Sequence, residues 1–147
     1  LPQLRARLKA EFGAAIRQEL FVSVVSFSYR EGLPRDADLV FDARFLRNPY
    51  YDPNLRELTG QDPRVGAYIA QDPDFAAFFD RLTGFIAPLL PRFRQEGKTR
   101  LTIAVGCTGG KHRSVYTAEQ LYKWLLEQKT CMVALTHREL EKNKQDK

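Results

Sequence analysis

Apolar positions recur along this chain in two alternating rhythms, one of period two and one of three to four residues. Leu4, Leu8 and Phe12 share a face among Arg5, Arg7, Lys9 and Glu11, which predicts an amphipathic opening helix without an evident cap. Phe21 to Tyr29, rich in β-branched and aromatic residues, reads as a strand ended by Gly32 and Pro34. Leu39 to Phe45 reads as a second strand, with Leu39, Phe41, Ala43 and Phe45 on one face and Val40, Asp42 and Arg44 on the other. Two prolines and three other turn formers in residues 48–54 exclude a regular element there and predict an ordered lid or rim carrying Tyr50 and Tyr51. A short helix is expected from Val65 to Gln71. From Phe75 to Phe93 the three- and four-residue spacing predicts the main core helix, its aromatic stripe serving packing and its course kinked or divided at Pro88.

Leu101 to Val105 then reads as a buried strand, and Val115, Ala118, Leu121, Tyr122 and Leu125 place a helix after it that runs to about Gln128. Thr130 to Leu135 is the last expected strand, followed by a polar tail from Thr136 to Lys147. There are no internal repeats and no low-complexity linker. Strands alternating with helices predict an α/β fold: a single domain with a mostly parallel sheet flanked by helices. Ligands in such sheets bind beyond the carboxyl ends of the strands, which is where Gly106-Cys107-Thr108-Gly109-Gly110-Lys111-His112-Arg113-Ser114 falls.

Composition narrows the class. A chain of 147 residues with 44% hydrophobic content suits one domain with a real core. No apolar run approaches the roughly 20 residues of a membrane span, and no signal-peptide pattern occurs, so a cytoplasmic protein without a membrane association is expected. Cys107 and Cys131 lack zinc-ligand spacing and form no disulfide framework; Cys131 reads as a small buried hydrophobe. The net charge of +5 favours acidic partners without by itself indicating nucleic acid.

The chemistry concentrates in the glycine-rich turn. A strand passing through such a turn into a helix aims free backbone N–H groups and the positive helix end at whatever lies over it. Gly109 and Gly110 allow close approach, and Lys111, His112 and Arg113 add donors and charge, so the natural guest is an anion, foremost a phosphate. The order of residues is neither a Walker A loop nor a dinucleotide fingerprint. Three readings stay open: a turn whose basic residues face water, a phosphate-binding site without chemistry, and a Cys-dependent phosphatase. The last rests on Cys107 and Arg113 standing in a Cys-x5-Arg-Ser arrangement, in which a helix end lowers the thiol pKa and the arginine clamps phosphate. A kinase-like nucleotide-binding fragment ranks behind these, since neither a Walker lysine order nor a metal-binding acid cluster is present. Asp42 and Arg44 share a face either as a surface salt bridge or as a pair presented to a site.

Gly106 to Val115, together with Val40-Phe41-Asp42-Ala43-Arg44-Phe45-Leu46, Asn48-Pro49, Leu58-Thr59-Gly60 and His137-Arg138-Glu139-Leu140-Glu141-Lys142, resembles the C-terminal domain of the RapZ family of RNase adapter proteins. The likeness runs from about Phe21 to Lys144. It implies a non-enzymatic domain that senses glucosamine-6-phosphate, binds small regulatory RNA and presents it to the endoribonuclease RNase E, with no cofactor or metal. It further implies a homo-oligomer in the full-length form, with residues 1–20 as a linker helix from an N-terminal kinase-like domain, residues 21–136 as the ligand- and RNA-binding domain, and residues 137–147 as a basic tail. By motif, Cys107, Thr108, Gly109, Gly110, His112, Arg113 and Ser114 would line the phosphate end of the sugar-phosphate pocket, with Asp42 and Arg44 at its rim. Lys111, Arg138, Lys142 and Lys144 would meet RNA. Two departures stand out: Glu31 occupies a position that is histidine in enterobacterial members, and the segment from His137 carries a formal net charge of only +1.

Overall fold

The computed structural model describes residues 19–145, so the expected opening helix lies outside the described residues, as do the side chain of Lys144 and all of Lys147. Four strands, β1 (Leu20–Ser28), β2 (Leu39–Asp42), β3 (Arg100–Cys107) and β4 (Cys131–His137), form one sheet in the order β2-β3-β1-β4. Every pairing is parallel. The described residues also form four α-helices, α1 (Pro63–Ala70), α2 (Pro73–Gln95), α3 (Arg113–Gln128) and α4 (Arg138–Gln145), and short 3-10 turns at Tyr29–Glu31 and Pro49–Tyr51. The α/β architecture with a parallel sheet is the one the strand–helix alternation predicts.

Strand alternation decides where the core lies. Leu20, Val22 and Val24 of β1 and Leu101, Ile103 and Val105 of β3 point to one face and are fully buried against Leu82, Ile86 and Leu90 of α2 and Ala118, Leu121 and Leu125 of α3. The opposite face presents Phe21, Val25, Val40 and Met132, none of which belongs to that core, and Val40 and Met132 are exposed. Apolar burial on one face therefore supplies the main favourable term of folding.

Helices α1 and α2 start by the same local device. Asp62 and Asp72 each accept the backbone N–H two residues on, from Arg64 and Asp74 at 2.9 Å, and a proline fills the first helical position in both. Of the kink or division expected at Pro88, division does not occur: α2 runs as one element through both Pro88 and Pro91. The carbonyls those prolines leave without a donor belong to Gly84 and Ala87, both exposed, so water can serve them while Ile86 and Leu90 stay packed.

Two strand boundaries also differ from expectation. The second strand ends at Asp42 because the Arg44 N–H folds back onto Asp42 Oδ1 at 2.8 Å, and the core position passes to Leu46 while Phe45 stays half exposed against Phe78. At the other end β4 continues to His137, and helix α4 stands where a polar tail is expected. Its order is explained by buried groups: His137 bridges Ser26 Oγ at 2.6 Å and Glu119 Oε1 at 2.8 Å, and Glu139 is 6% exposed. Cys131, expected to be buried, is half-buried at the start of β4, where burial raises its thiol pKa.

Ile103→Ala, at the centre of β3, is expected to lower stability by about 2–5 kcal/mol, whereas Met132→Ala on the open face shifts it by under about 0.5 kcal/mol. Urea unfolding of both variants checks which face is the core.

Candidate functional site

Strand register assembles the site. Ser28 ends β1 beside Cys107 at the end of β3, and Asp42 ends β2 beside Gly106. From the adjacent strands β1 and β3 the chain departs in opposite directions, to β2 on one side and through α3 to β4 on the other. Their carboxyl ends thus form the switch point at which open α/β sheets bind ligands.

The turn that follows β3 needs its glycines for different reasons. Gly110 has φ +72°, and a Cβ there would come within 2.9 Å of the Ser28 backbone nitrogen and 3.0 Å of Glu139 Cγ. Gly109 meets nothing within 4 Å and leaves its side of the turn open to a guest. His112 stands at the N-cap of helix α3 and makes no side-chain cap hydrogen bond, so no capping side chain occupies the first-turn N–H groups at the positive helix end. The Leu58-Thr59-Gly60 corner braces this helix start: the Gly60 N–H donates to the Lys111 carbonyl at 2.8 Å, and a Cβ on Gly60 would lie 2.4 Å from the His112 carbonyl oxygen.

Over the turn lies a cavity of about 430 Å³. Cys107, Thr108, Gly109, Lys111, His112 and Arg113 line one side of it, and Arg30, Asn48, Tyr50, Tyr51, Arg56 and Glu57 the other. Asn48, Tyr50 and Tyr51 of the second group belong to the rim expected in residues 48–54, whereas Arg30, Arg56 and Glu57 lie outside it, and no member of the group is among the site residues the sequence indicates. Their signal was weak: two prolines and two tyrosines beside Arg56. The Arg56 guanidinium lies 4.8 Å from the Tyr50 ring centroid and its Nε donates to the Tyr50 carbonyl at 2.8 Å, so the aromatic rim is braced by a cation.

Individual roles now separate. Arg113 is 5% exposed; its Nη1 donates to the carbonyls of Arg44 and Leu46, the latter at 3.1 Å, and its Nη2 to Thr108 Oγ1 at 3.3 Å. One edge of the guanidinium is therefore committed to the corner after β2, and the other faces the turn. Cys107 is 2% exposed and its thiol donates to the Ser114 hydroxyl at 3.1 Å. His112 Nε2 lies 3.1 Å from the Arg56 carbonyl, which only accepts, so that nitrogen carries the proton. Burial, reinforced by Lys111 and Arg113, holds the His112 pKa below the usual histidine value despite the carbonyls of Leu58 and Arg56.

Asp42 and Arg44 pair in a two-pronged contact, Arg44 Nη2 to Asp42 Oδ2 at 2.6 Å and Nε to Oδ1 at 2.9 Å, which holds the Asp42 carboxyl below its usual range. The Arg44 guanidinium lies 3.9 Å from the Tyr29 ring centroid, and burial raises the Tyr29 phenol pKa with Asp42 adding to it. This exposed pair sits beside Arg113, one strand over from the residues that line the cavity. Among the residues expected to meet RNA, Lys111 lines the cavity and is exposed. Arg138 turns inward, its Nη2 donating to the Gly32 carbonyl at 2.7 Å and its Nε to Glu139 at 3.2 Å, while Lys142 is half exposed with Nζ 3.5 Å from Glu139. No cluster of His, Cys, Asp or Glu suited to a metal ion occurs among the described residues, and no helix among them is long and apolar enough to cross a membrane.

Comparison with known proteins places these features in context. A family model described as the RapZ C-terminal domain matches residues 20–141. A nucleotide-binding protein of Rhodospirillum rubrum is 62% identical over 125 residues, 85% of this chain and 39% of the relative. Nucleotide-binding proteins of Paramagnetospirillum magneticum and Granulibacter bethesdensis are each 55% identical over 139 residues, covering 95% and 94% of this chain but 45% and 43% of those relatives. The chain thus spans less than half the length of these curated relatives.

The site carries a pH dependence whose sign follows from His112. Its folded pKa lies below the unfolded value of about 6.5, so its contribution to stability is complete above that pH and is lost as pH falls through it. Urea midpoints at pH 7.5 and 5.5 are expected to show a loss on acidification that His112→Gln reduces. Gly60→Ala is expected to cost about 1–3 kcal/mol by forcing a methyl group into the start of α3; thermal unfolding measures it.

Proposed function

The chain belongs to the RapZ C-terminal domain family, and we propose that it works as a non-catalytic module that senses glucosamine-6-phosphate, binds small regulatory RNA and presents it to the endoribonuclease RNase E. The observation that supports this reading most is the end of β3: an uncapped helix start, a glycine turn open on one side and a buried arginine below a cavity of about 430 Å³. A phosphate would accept from N–H groups of the turn and from the Nη2 edge of Arg113, which it would share with Thr108 Oγ1, and would lie near Lys111. Arg30, Arg56 and Lys111 surround the opening with positive charge, which suits a polyanion as well as a small phosphate ester. The full-length protein would act as a homo-oligomer.

The non-catalytic part of the proposal is supported by Cys107 and Arg113. A Cys-dependent phosphatase needs a thiolate open to phosphorus and an arginine free to clasp two phosphate oxygens with its fork. Here the thiol is buried and donates to Ser114, and half of the guanidinium is held by backbone carbonyls. Turnover of an aryl phosphate by the wild type, abolished in Cys107→Ser, would overturn this part.

Isothermal titration with glucosamine-6-phosphate is expected to show saturable binding, weaker for glucose-6-phosphate. Lys111→Ala should weaken it by roughly tenfold or more, the loss typical of one charge-assisted hydrogen bond. Absence of binding at millimolar ligand would sink the sensor reading. For a stem–loop RNA followed by fluorescence anisotropy, log affinity should fall linearly with log salt concentration, and saturating sugar phosphate should displace it. Unchanged RNA affinity at saturating ligand would rule out a shared anion site.

A further inference from the structure

Helix α4 carries a carboxylate that the site does not account for. Glu139 is 6% exposed, and its Oε2 accepts the backbone N–H of Ser28 at 2.6 Å. Arg138 Nε donates to both carboxylate oxygens at 3.2 Å, and Lys142 Nζ lies 3.5 Å away, so the buried negative charge is matched on its own helix. Ser28 in turn donates its hydroxyl to the Thr108 carbonyl at 2.6 Å. Gly110 is pressed against both partners, its Cβ position 2.9 Å from Ser28 N and 3.0 Å from Glu139 Cγ. A chain of short contacts therefore runs from the C-terminal helix, through the end of β1, into the glycine turn.

We infer that Glu139 is a positioning residue for the anion-binding turn, acting through Ser28 to set the orientation of the Thr108–Gly109 peptide. The physical step is the planarity of that peptide. In a trans peptide the C=O and the following N–H point in opposite directions. Holding the Thr108 carbonyl on Ser28 turns the Gly109 N–H away from Ser28, on a residue that lines the cavity and where an added Cβ would meet nothing within 4 Å. Were Ser28 free to move, glycine at 109 and 110 would let this peptide rotate and bring a carbonyl oxygen where a phosphate oxygen needs a donor. Glu139 blocks that movement by fixing the Ser28 backbone itself.

This inference rests on the turn being an anion site, as the proposed function holds, but not on which anion it takes. A merely electrostatic influence of Glu139 and a positioning role predict opposite signs. Removing a negative charge near an anion site tightens anion binding, whereas releasing the peptide weakens it. The test is isothermal titration of the whole chain with inorganic phosphate and, separately, glucosamine-6-phosphate, for Glu139→Ala, Glu139→Gln and Ser28→Ala, with circular dichroism to check folding. Glu139→Ala is expected to weaken both ligands by about fivefold to tenfold, the effect of losing one buried hydrogen bond. Glu139→Gln, which keeps an acceptor for the Ser28 N–H, should recover most of that loss. Ser28→Ala leaves the Glu139 contact in place and should weaken binding alike, which decides the matter should Glu139→Ala not fold. Equal or tighter binding in a folded Glu139→Ala, or in Ser28→Ala, overturns the inference while leaving the sensor reading intact. Phosphate binding with the expected variant losses but no amino-sugar binding supports it and sinks the sensor reading; wild-type binding of neither ligand overturns both.

Discussion

A guanidinium buried to 5% exposure must have acceptors, and the upper end of this sheet is organised around supplying them to Arg113. The carbonyls of Arg44 and Leu46 serve one nitrogen, and they converge on it because β2 ends at Asp42 and the chain turns at once through residues 43–46. Thr108 serves the other nitrogen from the glycine turn. One side chain at the start of α3 thereby joins the exit of β2 to the exit of β3, and the parallel register beneath keeps those exits level. Removing the positive charge would leave two carbonyls turned inward without a donor, a cost comparable to that of the charge itself.

The helix start above Arg113 concentrates positive potential: the α3 dipole, Arg113, Lys111 and the nearby Arg30 and Arg56. Adding a protonated His112 to that set would be costly: burial, reinforced by Lys111 and Arg113, holds its pKa below the usual histidine value against the opposing pull of the Leu58 and Arg56 carbonyls. One of the basic residues at the turn thus serves as a buried wall rather than as a charge. Asp42 and Arg44 act differently, largely cancelling each other at the surface, and an exposed pair of this kind adds little stability.

Helix α4 changes the meaning of the chain's last segment. Arg138 and Glu139 are tied inward to Ser28 and Gly32, while Lys142 is half exposed with its Nζ 3.5 Å from Glu139, so one turn of helix joins the end of β1 to a partly exposed cation. A polyanion approaching this surface would meet Lys142 with Arg138 already engaged beneath it, on a helix connected by two hydrogen bonds to the glycine turn.

Alternating and helical periodicities were enough to determine the α/β class, the four strands, the long core helix and the location of the glycine-rich turn, because burial of one strand face and one helix stripe leaves a periodic mark in local sequence. The Gly-Gly pair and its basic neighbours were legible for the same reason: their chemistry lies within nine consecutive residues, 106 to 114. Tertiary structure alone decided the rest. Tyr50 and Arg56 join the cavity across more than 50 residues of chain, and Glu139 reaches Ser28 across 111. A polar run such as residues 138–145 looks solvated by composition, yet two of its first side chains find acceptors and donors at the ends of β1 and become part of the fold. The passage of α2 through Pro88 was likewise beyond local rules, since packing of Ile86 and Leu90 against the sheet outweighs the backbone bond that proline removes.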